Sequence, residues 1–239
     1  MVKSLVDLAA TELINTLRER VILLPIASLE SHGPLPLGTD ILFAECVCHR
    51  LSDSIVVAPV IPFSTSIEHA FESFAVYTMS DTFLSYLRQV LISLAQLRRP
   101  IIVVPFHGGV RGVAYHAARE AMFVERGVRI VLVDPFKVID SVLSRKGLRG
   151  IVHADPVEAS ILLACGYKGT SIDRCSIGTS VEGFEKVLEP WIGSDIANRY
   201  RSKKVCGDEA LGREIVNAVV LEIERTAKTL LRSVSEQEE

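Results

Sequence analysis

A chain of 239 residues, 49% hydrophobic but only 6% aromatic, is long enough to bury most of its apolar surface in an aliphatic core. Its formal net charge of −3 provides no basic footprint for nucleic acid, and no apolar run approaches the ~18 residues of a membrane span. The N-terminal MVKSLVDLAATELINTLRER is amphipathic and lacks the compact apolar region and cleavage site of a secretion signal, so the expected location is cytoplasmic.

In chain order, the spacing of apolar residues predicts a helix over about 5–19 and then a buried strand, Val21–Ala27 (VILLPIA). SLESHGPLPLGTD (28–40) follows, and a helix is expected over 40–52. That helix carries Cys46 and Cys48, two positions apart and therefore on different faces. Both are expected to be ordinary buried thiols, and five cysteines at these spacings frame no disulfide scaffold. Strands are expected at Ile55–Val60, Ile101–Phe106 and Arg129–Val133, with helices over 80–98, 111–126 and 155–165. Residues 170–207, with the single Trp191, show no clear element and suit a small cap or an oligomer contact. Asp208–Arg232 reads as a long helix with Leu211, Ile215, Val219 and Ile223 on one face, and 233–239 as a frayed acidic tail. There is no internal repeat, so one domain over 1–239 is expected. Alternating strands and helices with right-handed crossovers give an α/β fold, a three-layer sandwich with a mostly parallel central sheet. Asn and Gln are scarce, as in proteins from hot environments.

Ligands bind open α/β sheets outside the carboxyl ends of the strands, and polar residues collect there. Glu30 and His32 follow the first strand. In extended chain they point to the same side, roughly 6–7 Å apart. Asp40 closes the same loop, and His107 follows the central strand IIVVPF. For His69 and Asp134 local turn roles are expected. His49 and His116 fall on helices and carry no functional expectation. Glu158 has a local explanation: in Asp155-Pro156-Val157-Glu158 it occupies the third position of a capped helix start. Histidine and carboxylate without cysteine suit a divalent Zn, Mn or Fe ion, one or two per chain. Such an ion lowers the pKa of bound water to about 7 and polarises a carbonyl, which is hydrolytic chemistry. No G-x-S-x-G serine or His-paired cysteine offers a covalent alternative.

The turn His107-Gly108-Gly109-Val110-Arg111-Gly112 exposes backbone N–H groups at a helix start, a site for an anion. Gly108, Gly109 and Arg111 are therefore candidate substrate-binding residues, and His69 is a separate candidate on the substrate side. A tight turn that merely needs glycine is the alternative.

With these residues in view, the chain resembles the creatininase (creatinine amidohydrolase) family. The family's G-S-x-E-Q-H-G-P-H-L-P-L-G-T-D is similar to A-S-L-E-S-H-G-P-L-P-L-G-T-D here, its N-G-H-G-G-N to Pro105–Val110, its H-A-G-x-x-E-T-S to His153–Ser160, and its late glycine-arginine stretch to Gly207 through Gly212-Arg213. The resemblance implies an α/β/α sandwich with metal ligands Glu30, His32, Asp40, His107 and Glu158, Asp40 being the natural bridge. Glu30, Asp40 and His107 would be the catalytic set. The implied reaction is hydrolysis of a non-peptide C–N bond, in a cyclic amide or formamide, through metal-bound hydroxide. The implied partner is a small molecule, with no nucleic acid or membrane, and the implied assembly is a homo-oligomer, hexameric in several members. One branch deformylates a phosphorylated ribosylaminopyrimidine in archaeal riboflavin and F420 biosynthesis, where Arg111 would meet the phosphate. Other members serve peptide-cofactor maturation. Three departures stand out: a family histidine is missing between Pro34 and Leu35, Pro105 and Val110 replace two asparagines, and Gly109 replaces creatininase's ligand glutamate. They argue against creatinine as substrate. A non-catalytic phosphate- or nucleotide-binding module with a degenerate site is the rival expectation.

Overall fold

The computed structural model of the chain describes residues 3–70, 74–148, 153–177 and 203–238. Trp191 and most of the 170–207 segment lie outside them. In chain order the elements among these residues are β1 (Lys3–Ser4), α1 (Ala10–Leu17), β2 (Val21–Ile26), β3 (Leu29–Glu30), α2 (Thr39–Cys48), β4 (Ile55–Val57), β5 (Ala75–Val76), α3 (Ser80–Ala95), β6 (Ile101–Pro105), α4 (Arg111–Val124), β7 (Ile130–Leu132), α5 (Pro135–Arg145), α6 (Pro156–Ala164), β8 (Ile172–Arg174), β9 (Val205–Gly207) and α7 (Glu209–Glu238). No described helix is long and apolar enough to cross a membrane.

The central sheet has the order β1-β4-β2-β6-β7 and is parallel throughout. Parallel strands covered on both faces read as continuous apolar runs, and β2 and β6 are buried at every residue. Their side chains alternate between two cores. Val21, Leu23, Ile102 and Val104 pack with α2, α5, α6 and α7. Ile22, Leu24, Ile101 and Val103 pack with α1, α3 and α4, whose Ala114, Ala117, Ala118 and Ala121 bring that helix close to the sheet. The result is the three-layer sandwich that the sequence predicts. On the first face, Gly212 of α7 meets α6 so closely that a Cβ there would overlap the Ser160 backbone.

Several elements differ from expectation. β1 was not legible: two residues join the sheet edge, and a 3-10 turn, Leu5–Asp7, precedes a shorter first helix. α5 was also unforeseen. Asp134 caps it by accepting from the Phe136 N–H, with Pro135 in its first turn, so the local turn role expected of Asp134 is a helix cap. α7 continues helical to Glu238, through most of the expected tail.

Cysteine chemistry is a correction. Cys46 is not a thiol but is joined to Cys165, with Cα atoms 5.5 Å apart and 119 positions between them in sequence. A second disulfide, Cys175–Cys206, links β8 and β9. Only Cys48 is free, and it is buried. Local spacing could not reveal the first pair, because it depends on α2 and α6 lying side by side. It clamps the far ends of two helices whose opposite ends carry Asp40 and Glu158. Cross-linking a loop of this length restricts the unfolded chain by about 2–5 kcal/mol. Replacing both cysteines, Cys46→Ala with Cys165→Ala, is expected to lower the unfolding free energy by about that amount, measured by denaturant titration under oxidising conditions.

Candidate metal centre

Each polar side chain of the centre is placed by a local structural device. β3 pairs antiparallel with β5, Glu30 opposite Ala75, and this short ladder turns the Glu30 carboxylate inward with no exposed surface. His32 Nδ1 donates to the Glu30 carbonyl at 3.0 Å. Its Nε2 therefore faces Asp40 Oδ1 at 3.4 Å and Glu158 Oε1 at 3.9 Å. The loop then doubles back, with Leu35 N–H donating to the His32 carbonyl at 2.9 Å and Glu30 N–H to the Leu37 carbonyl at 3.1 Å. It delivers Asp40 into the first turn of α2, where the helix dipole favours a carboxylate. Asp40 Oδ2 accepts from Ser28 Oγ at 2.8 Å and lies 3.3 Å from His107 Nδ1.

His107 leaves β6 with Nε2 donating to the Thr65 carbonyl at 2.9 Å and Glu68 Oε1 3.4 Å away. Nδ1 is thereby aimed at Glu30 Oε1, at 3.3 Å. Gly109 makes room for this arrangement: a Cβ there would overlap the Glu68 carboxylate and lie 2.6 Å from His107 Nε2. At the start of α6, Asp155 accepts from the N–H groups of Val157 and Glu158. Glu158 does serve a local purpose, accepting from Ala154 N–H through Oε2, while Oε1 faces His32. Ala154 takes a left-handed φ of +51°, a strained backbone for a residue other than glycine.

Sequence reasoning missed two members. His153 donates from Nε2 to the Ser31 carbonyl at 2.8 Å and turns Nδ1 to within 3.8 Å of Glu30 Oε1. Its ring lies between those of His32 and His69, at centroid distances of 4.3 and 4.2 Å. His69, expected to serve the substrate or a turn, brings Nε2 to 3.4 Å from Glu30 Oε1. Glu68 is the other omission. His153 did stand inside the motif HADPVEAS, two residues before a helix cap, but nothing local singles it out.

Burial disfavours charge throughout the cluster, and the neighbours decide which groups keep it. Burial opposes ionisation of Asp40, yet His32 and His107 outweigh it and hold its pKa at about 2. Glu30 is likewise held well below the usual carboxylate range, against burial, by His107, His32 and His153. Against the same penalty, Asp40, Glu158 and Glu30 raise His32 to about 10, and Glu30, Asp40 and Glu68 raise His107 well above 6.5. Burial, reinforced by His32 and His69, lowers His153 to about 3. Burial, opposed by His32 and the Ala154 N–H and aided by Asp155 and Asp40, lifts Glu158 to about 8.

The donor set fits a cation. Both oxygens of Glu30 and Nε2 of His32 are buried without a hydrogen bond, and orphaned buried polar atoms are costly. Neutral His153 presents a lone pair to the Glu30 carboxylate, which leaves room between them for positive charge. Three groupings, Glu30/His69/His153, His32/His153/Glu158 and Glu30/His32/Asp40, each bring their ligand atoms within 4.8 Å of one another. His107 Nδ1 adds a further donor beside Glu30 and Asp40. All are oxygen or imidazole donors, as Zn, Mn or Fe require. Above them opens a cavity of about 1130 Å³, lined in part by Glu68, His69, Gly108, Gly109, Arg111 and His153. Arg111 is already engaged there, donating to Asp134 Oδ2 from Nε at 2.9 Å and from a terminal nitrogen at 2.5 Å, and lying 5.4 Å from the Phe136 ring centroid.

Comparison with curated proteins finds no match. Among solved structures, a tryptophan-to-phenylalanine mutant creatininase aligns with a TM-score of 0.72 at 16% identity, covering 93% of this chain and 96% of that one. A creatinine amidohydrolase (creatininase) aligns at 0.72 and 15%, covering 94% and 96%. A creatininase with Mn aligns at 0.71 and 15%, covering 95% and 97%. At such identities the likeness establishes the fold. Residues 7–223 match the model of the Creatininase family, described as creatinine amidohydrolase. That match spans most of the sequence, and the chain belongs to the creatininase family of metal-dependent amidohydrolases.

Proposed function

We propose that the chain hydrolyses a non-peptide C–N bond, in a cyclic amide or a formamide, using two divalent ions held by Glu30, His32, Asp40, His107 and Glu158. One observation carries this reading. Asp40 presents Oδ1 to His32 and Oδ2 to His107, with Glu158 on the first side and Glu30 nearest the second, 3.3 Å from His107 and 4.0 Å from His32. A carboxylate whose two oxygens face two donor sets is suited to bridge two ions. When bound, such ions supply an activated water at neutral pH and polarise the scissile carbonyl.

The chain's own residues position the donors. The Thr65 carbonyl and Glu68 hold the Nε2 proton of His107, keeping Nδ1 directed inward, as outer partners of metal-binding histidines do. The Ser31 carbonyl does the same for His153, which turns the lone pair of Nδ1 toward Glu30 and the centre. His69, Gly108 and Gly109 line the substrate side. A cavity of about 1130 Å³ exceeds what one small ring fills. It supports a larger nitrogen heterocycle or formamide, with the phosphorylated formylaminopyrimidine of riboflavin and F420 biosynthesis in range. We read the protein as cytoplasmic and homo-oligomeric. Phe123 and Val124 are large apolar side chains left exposed at the surface, as at contact surfaces. Two disulfides suit a cytoplasm chiefly in organisms of hot environments.

Asp40→Asn is expected to cost at least about 100-fold in both metal affinity and kcat while leaving the far-ultraviolet circular dichroism unchanged. Glu68→Gln is expected to weaken metal binding by about tenfold, read by chelator competition. The pH dependence follows from the protons that metal must displace. His32 stays protonated up to about pH 10 and Glu158 up to about pH 8, and His107 is protonated well above 6.5. Affinity therefore falls as pH falls. Between pH 8 and pH 6 the expected loss is about two to three decades per pH unit, because two imidazoles and, below about pH 8, Glu158 must each release a proton. A flat profile would contradict the ligand assignment.

A further inference from the structure

The cavity is chemically polarised. Its floor carries the carboxylates Glu30, Asp40 and Glu158. Its wall follows α4, where Arg111, Tyr115 and Arg119 recur every fourth residue on one face and all line the space. The first turn of α5 faces it with Phe136 and Lys137. Arg111 is bound to Asp134 and stacked on Phe136, so its charge is already engaged.

Arg119 and Lys137 differ from it. Both are exposed and line the cavity, and neither pairs with a carboxylate among the described residues. Lys137 also lies in the first turn of its helix, where the dipole disfavours a cation. Arg119 is eight residues beyond Arg111, about 12 Å further along the helix axis. Between floor and far wall, Tyr115 lines the space with an aromatic ring against which a substrate ring can pack.

We infer that Arg119 and Lys137 form a subsite for an anionic group, phosphate or carboxylate, carried on the end of the substrate remote from the scissile bond. The inference rests on the hydrolytic reading of the floor and replaces Arg111 as the anion contact. Arg119 offers a two-pronged set of donors to an oxyanion, and Lys137 a point charge.

The test is calorimetric titration of the metal-loaded protein with phenyl phosphate, benzoate and neutral benzyl alcohol. One of the two anions is expected to bind at least about tenfold more tightly than the alcohol, and the preferred one identifies the headgroup. The double variant Arg119→Gln with Lys137→Gln is expected to lose about tenfold or more for that anion and nothing for benzyl alcohol. The charge-matched control Arg225→Gln with Lys228→Gln, on α7, should bind as the native chain does. Anions that bind no better than the alcohol would overturn the subsite. So would a double variant that keeps its affinity, which would place the anion on the metal. Intact anion binding without turnover of any amide would count against the hydrolytic reading instead.

Discussion

A carboxylate without a counter-charge is not tolerated in a protein interior, and the burial of Asp40 sets the terms for everything around it. Its carboxylate is almost entirely shielded from solvent, shared between His32 and His107 and hydrogen-bonded by Ser28. It also lies in the first turn of α2, where the helix dipole adds partial positive charge. Beside it Glu30 is buried with neither oxygen hydrogen-bonded. In the metal-free chain the balance is kept by protons on two imidazoles. Those protons hold the place of positive charge that an ion can take over.

The scaffold serves that balance. β2 and β6 run through the middle of a parallel sheet and deliver Glu30, His32 and His107 at their carboxyl ends, while α2 and α6 bring Asp40 and Glu158 at their first turns. The disulfide between Cys46 and Cys165 joins the other ends of those two helices, and Gly212 lets α7 press directly on α6. Departures from the family pattern are absorbed in the same framework. The loop lacking a histidine closes tightly through His32 and Leu35 and still returns Asp40. Val110, in place of an asparagine, is buried in the core beneath α4. Gly109, in place of a glutamate, leaves the space that the Glu68 carboxylate occupies.

Much of this was legible in the residues. Four strands of the sheet announce themselves as apolar runs, and Glu30, His32, Asp40 and His107 stand out because they follow strand ends. What was not legible depends on partners distant in the chain. His153 gains its role from the Ser31 carbonyl, 122 positions away, and Glu68 from His107 and Gly109. The first disulfide depends on two helices meeting. β1 is too short for any periodicity. α5 is a different case: Asp134-Pro135 carries the same cap-and-proline signal as Asp155-Pro156, but the strand before it invited reading it as a turn. Arg111 shows the opposite error, since its position in a glycine turn suggested an anion contact until Asp134 was found to hold it.

The bridging role of Asp40 is the claim on which the functional reading stands, and a crystal of the Mn-loaded protein tests it most directly. An anomalous difference map is expected to show two peaks flanking the Asp40 carboxylate, one beside His32 and Glu158, the other beside His107 and Glu30. A single peak, or peaks that leave either Asp40 oxygen without an ion, would contradict it.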